Sequence, residues 1–160
     1  MASDQITRNH LVTLLQGRIA HLTFEDAVAD FPMNQINTRP PNVPYTPWHL
    51  IEHLRIAQWD ILEYIQNPQH VSPKWPEGYW PSPDAETDAA GWENTLKGFR
   101  DDLQALVELV QNPATDLYAP IPHDNHGHTI LREVFSVADH NAYHVGELAI
   151  LRQVMDNWPK

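Results

Sequence analysis

The placement of proline constrains this chain more than any other feature. A proline inside a helix removes one backbone hydrogen bond and clashes with the preceding turn, so long helices must fit between prolines. The 14 prolines fall mainly in three clusters, around positions 32–47, 68–83 and 113–122. The stretches between them are long enough for helices and carry apolar residues at helical spacing.

The first segment is predicted to be a helix from about Ser3 to about Leu22, with Leu11, Leu14, Leu15, Ile19 and Leu22 along one face. A short helical piece follows from Thr23 to Phe31, where Thr23 with Asp26 three residues on has the form of a capping pair. The loop PMNQINTRPPNVPY cannot be regular helix. A second long helix opens at Thr46-Pro47, a capping residue followed by proline at the first helical position, and stops at Asn67-Pro68. The third is expected to start near Ser82-Pro83, with Asp84 and Glu86 in a first turn where the helix dipole favours acids, and to end at Asn112-Pro113. Its stripe is Trp92, Leu96, Phe99, Leu103, Leu106, Val107 and Val110. The last helix spans about Thr129 to about Asn157. No stretch alternates long enough for a strand, and no internal repeat or low-complexity tract interrupts the pattern. The expectation is an all-α four-helix bundle filling one domain, residues 1–160.

Composition narrows the function. The net charge is -11, from 21 acidic and 10 basic residues, and no cluster of Lys and Arg offsets it. Such a surface repels phosphate backbones, so no nucleic-acid partner is expected. There is no cysteine, which excludes disulfides, thiolate metal sites and a cysteine nucleophile. Neither a signal peptide nor a transmembrane run is evident, so a cytoplasmic protein with no membrane partner is the expectation.

Ten histidines are the unusual feature. Two pairs stand one helical turn apart: His49 and His53 in HLIEH, His140 and His144 in HNAYH. Residues four apart share a helix face, so either pair could present two imidazoles to one ion. One such pair by itself is more often two unrelated histidines than a site. At about 100° per residue, the apolar arc of the second long helix centres near Leu54, Ile61 and Ile65. His53 lies on the flank of that arc, and His49 further toward solvent. His140 and His144 flank an arc containing Val134, Val137, Val145 and Leu148. Three inward histidines on two helices, His53, His140 and His144, form the candidate metal site.

Neutral imidazoles bind zinc, nickel or iron without cancelling the ion's charge. Three protein ligands leave a position open for water or substrate, as in catalytic sites. An ion held so could activate bound water or stabilise a thiolate. Other schemes fit less well. Asn141 stands where a zincin-type motif has its glutamate. A ferritin-like site needs Glu three residues before each histidine, and those positions hold Leu50, Val137 and Asn141. Glu147 is a fourth ligand, a partner of His144 or a solvated carboxylate. His123, His126 and His128 read as surface residues, with lining of the site mouth as the alternative. Trp48, Trp59 and Trp92 read as packing residues. In SPKWPEGYWPSP, Trp75, Tyr79 and Trp80 mark an ordered loop and read as anchors, with lining of a pocket over the metal as the alternative.

The segments PYTPWHLIEHLRIAQWDILEYI, SPKWPEGYWP and LREVFSVADHNAYHVGELAILRQV resemble the DinB-like superfamily, also called DNA-damage-inducible or bacillithiol-transferase-like proteins. The resemblance spans almost the whole chain, and its most specific parts are WHLIEHL and DHNAYHVGEL in that order. It implies a four-helix bundle with a metal held by one histidine of the second helix and two of the last, which map onto His53, His140 and His144. It further implies a homodimer and, for some members, thiol-dependent transfer or isomerisation with bacillithiol, mycothiol or glutathione. A part in DNA repair is not implied. The expected function is a metal-dependent transferase that activates a low-molecular-weight thiol toward a small-molecule substrate. The alternatives are a metal-dependent hydrolase and a non-catalytic metal-binding stress-response protein.

Overall fold

A computed structural model describes residues 2–158. Within them the chain forms α1 (Ala2–Leu15), α2 (Phe24–Val28), a 3-10 turn at Met33–Gln35, α3 (Pro47–Gln66), α4 (Ala89–Gln111) and α5 (Ile130–Val154). The four long helices pack as a bundle, α3 against α4 and α5, and α1 against the same two. No strand occurs among the described residues.

The expected punctuation explains most of the boundaries. Thr46 caps α3 by accepting from the His49 backbone N–H at 3.1 Å, and Pro47 occupies the first turn. Pro68 biases Asn67 away from helical geometry, and Asn67 is extended with ψ 103. Thr129 caps α5 in the same way through Arg132. Thr23 and Asp26 form the reciprocal capping box that starts α2.

Three of the long helices are shorter than expected. The first ends at Leu15 rather than near Leu22, because the chain turns through Gly17 at φ +67, a left-handed conformation that glycine adopts without a Cβ penalty. Ile19, expected on the apolar stripe, is consequently exposed. The third starts at Ala89 rather than at Ser82-Pro83. Its cap is Asp88, whose carboxylate accepts from the Gly91 N–H at 2.8 Å. Residues 84–88 stay outside the helix, with Thr87 held by a paired hydrogen bond to the Asn37 side chain. Asp84 and Glu86 therefore precede the helix rather than occupy its first turn. The last helix ends at Val154, three residues short of Asn157.

Apolar side chains divide into two clusters along the bundle. One gathers Leu50, Leu54, Trp92, Phe99 and Leu148 under α2. The other gathers Leu11, Leu62, Leu106, Val134 and Val137. Each fully buried leucine contributes about 1.5–3 kcal/mol. Two buried arginines close the bundle ends. Arg8 donates to the carbonyls of Val110, Asn112 and Thr115, satisfying the last turn of α4. Arg152 donates to the carbonyls of Ala27, Ala29 and Asn157.

Candidate metal centre

His53 lies two turns into α3, and His140 and His144 lie one turn apart on α5. Packing of α3 on α5 brings the three imidazoles together, with donor atoms all within 4.8 Å of one another. His53 Nε2 is 3.2 Å from His144 Nε2 and 3.1 Å from His140 Nε2. His53 and His144 are buried, and His140 is half-buried. Among the described residues no other cluster of three such groups occurs.

The outer nitrogens decide what the inner ones can do. His53 Nδ1 is 2.8 Å from the Tyr79 carbonyl, which can only accept, so this nitrogen carries the proton. His144 Nδ1 donates to a Glu147 carboxylate oxygen at 2.6 Å. In their neutral forms the two rings turn an unprotonated Nε2 lone pair toward the same point. Two lone pairs 3.2 Å apart repel unless a cation or a proton lies between them. The donor set and spacing fit a metal: nitrogens about 2.0–2.1 Å from a tetrahedral ion lie roughly 3.3 Å from each other.

Electrostatics favour the same state. Burial holds His53 below the ordinary histidine pKa. His140 is pushed down to about 4, first by burial and then by the neighbouring His144 and His53. Both are therefore neutral, ligand-ready imidazoles at neutral pH. Tyr143, beside His144, is raised chiefly by the negative charge of Glu147.

The aromatic loop completes the surroundings. The Trp80 ring stacks on His53 with centroids 3.9 Å apart and planes 6° apart. Tyr45 in turn stacks on Trp80, with centroids 5.3 Å apart. Trp75 stands 66% exposed, 6.4 Å from His53, and Tyr143 is 65% exposed beside His144. Trp80 thus lines the centre rather than serving only as an anchor, whereas Tyr79 does anchor the loop, through its phenol to Asp60.

Several expectations about individual residues change. His49 is not turned toward solvent: it is 2% exposed. Its Nδ1 accepts from the Thr46 N–H and its Nε2 donates to the Ala85 carbonyl at 2.8 Å, so it fastens the strap before α4 and stays outside the cluster. Glu147 is a partner of His144 and does not join the donor cluster. The loop histidines sit at the far end of α3, where His123 donates to the Tyr64 carbonyl and His128 lies 3.2 Å from Glu133. His126 is exposed, while His123 and His128 are half-buried. The hydrogen bond from His53 to the Tyr79 carbonyl had no signal in the sequence, because a backbone carbonyl leaves none.

A helical bundle that turns three imidazoles from two helices onto one point defines the class: an all-α protein with a candidate mononuclear metal centre. A family model described as the DinB superfamily matches residues 18–148, and the chain belongs to that superfamily. Comparison with curated proteins and with solved structures gave no match.

Proposed function

We propose that the protein binds one divalent ion of the zinc, nickel or iron type through His53, His140 and His144, and uses it to activate a low-molecular-weight thiol for transfer to a small-molecule electrophile. The observation that carries the metal reading is the convergence of the His53, His140 and His144 donor atoms within 4.8 Å of one another, with the Nδ1 atoms of His53 and His144 already committed to the Tyr79 carbonyl and Glu147. The thiol reading rests on membership of the superfamily and on the chemistry of the donor set. A divalent ion on three neutral imidazoles keeps its positive charge and lowers the pKa of a thiol bound to it.

The chain's own residues have clear parts in this scheme. Tyr79 and Glu147 fix the ring orientation of His53 and His144, and Trp80 packs over one face of His53. A purely structural ion is disfavoured by the donor cluster itself, which has three members and no fourth protein ligand among the described residues. A cytoplasmic homodimer acting on a small-molecule substrate completes the proposal.

Metal content of the purified protein, followed by thiol-conjugation assays with bacillithiol, mycothiol and glutathione, tests both halves. One equivalent of metal and metal-dependent consumption of one thiol are expected. Stoichiometric metal without turnover of any thiol would reject the transferase reading and keep the centre. Absence of metal binding under saturating zinc, nickel and iron would reject both.

A further inference from the structure

The loop that carries the Tyr79 carbonyl has four prolines between Ser72 and Pro83 and no regular structure. Its own backbone bonds are two turns, from the Gly78 N–H to the Lys74 carbonyl at 2.7 Å and from the Tyr79 N–H to the Pro76 carbonyl at 3.1 Å, and neither engages the Tyr79 carbonyl. The loop is tied to α3 elsewhere: the Tyr79 phenol donates to Asp60 Oδ2 at 2.6 Å. Asp60 lies seven residues beyond His53 on the same face of α3 and is 7% exposed. Its other oxygen, Oδ1, is 2.6 Å from His70 Nε2. His70 is itself packed edge-on against Trp59.

A buried carboxylate costs free energy unless its oxygens are hydrogen-bonded, and here each oxygen has one donor from the loop side. Asp60 is remote from the three-histidine cluster and is not part of it. The path from Asp60 to the cluster is nevertheless short and continuous. Asp60 holds the Tyr79 ring, the Tyr79 carbonyl accepts a hydrogen bond from the His53 Nδ1–H, and keeping the proton on Nδ1 leaves Nε2 free to coordinate. The adjacent Trp80 is delivered onto the His53 ring by the same segment.

We infer that Asp60 is a positioning residue for the metal centre, acting through Tyr79 to set the tautomer and orientation of His53, with His70 holding the second oxygen of Asp60. Partners of this outer kind change metal affinity by about 10–100-fold when removed. An aspartate suits the position because both oxygens must accept. Asparagine would turn an N–H toward one of the two donors, and phenylalanine at 79 would remove the tie while keeping the carbonyl.

The inference rests on the proposed metal reading, so the test has one arm with metal and one without. Zinc affinity is measured by chelator competition for wild type, Tyr79→Phe and Asp60→Asn. Arg8→Ala serves as the control for general loss of stability, since Arg8 fastens the opposite region. In the metal-free proteins, nitrogen NMR reads the His53 tautomer. The expected result is a tenfold to hundredfold loss of affinity in both variants, no loss in Arg8→Ala, and His53 shifting from the Nδ1-protonated form to a mixture. Unchanged affinity in both variants, or lost affinity with the His53 tautomer unaltered, would overturn it. Should wild type bind none of zinc, nickel and iron, the metal reading fails, and the tautomer arm alone still supports or overturns the role of Asp60.

Discussion

His49 and His53 differ by one helical turn and have unlike fates. The spacing made both candidates, and the helical wheel set His49 apart from His53, which alone of the two joins the three-histidine cluster, yet for His49 the reason was wrong. A wheel knows only the helix's own apolar arc. His49 is buried by the strap at Ala85, a segment that arrives from outside the helix. The two histidines therefore predict different failures. His49→Ala should keep one equivalent of metal but lower stability by about 1–3 kcal/mol, since it strips partners from the buried Thr46 N–H and the Ala85 carbonyl. His140→Ala or His144→Ala should abolish stoichiometric metal binding, because two imidazoles seldom hold a divalent ion against water. Denaturant melts paired with metal analysis of the same three variants decide both claims, and metal retained by His140→Ala would refute the ligand set.

Among the elements, boundaries that rest on one residue's chemistry were legible, and those that rest on distant partners were not. Thr46-Pro47 and Asn67-Pro68 bracket α3 as expected because cap and proline act locally. The start of α4 depends on Asn37, some fifty residues away, which holds Thr87 in an extended path. The end of α1 depends on Gly17, and its φ of +67 predicts the effect of a substitution. Gly17→Ala should destabilise by about 1–2 kcal/mol, from the left-handed backbone and from a Cβ only 3.3 Å from His21; a melt unchanged from wild type would mean the turn does not need glycine. The aromatic loop makes a prediction in pH. Burial, reinforced by Asp60, pushes the Tyr79 phenol up to about 12, and burial with Asp124 does the same for Tyr64. A raised pKa means the folded state holds the proton more tightly. The stabilisation is therefore complete below the unfolded value near 10 and is lost as pH rises toward 12. Tyr79→Phe should flatten the loss of stability over that alkaline window, as read by denaturation at a series of pH values.

At the scale of the whole molecule, the bundle was legible because proline spacing and apolar stripes are properties of the entire chain. The centre was legible in part: three imidazoles came from periodicity and from a resemblance that the family match bears out. The partners that aim them, a backbone carbonyl and a stacked Trp80, belong to tertiary structure. Charge acts at this scale too. With a net charge of -11, the protein should show no measurable affinity for duplex DNA at physiological salt, since an acidic surface gains nothing from counterion release. Sub-micromolar binding that weakens steeply with added salt would contradict this.

The donors of the centre are divided, one on α3 and two on α5. An ion gripping all three would be a cross-link between segments almost ninety residues apart in the chain, and an unfolded chain cannot offer that grip. Whatever free energy the ion gains on binding is then added to the folding free energy, by about 2.7 kcal/mol when free metal stands at a hundred times Kd. The melting temperature becomes a gauge of the metal dissolved around the protein. It should climb with each decade of free zinc, fall back with a chelator, and lose that dependence entirely in His144→Ala. A melting temperature indifferent to metal in the wild-type protein would mean that α3 and α5 are not joined through these imidazoles.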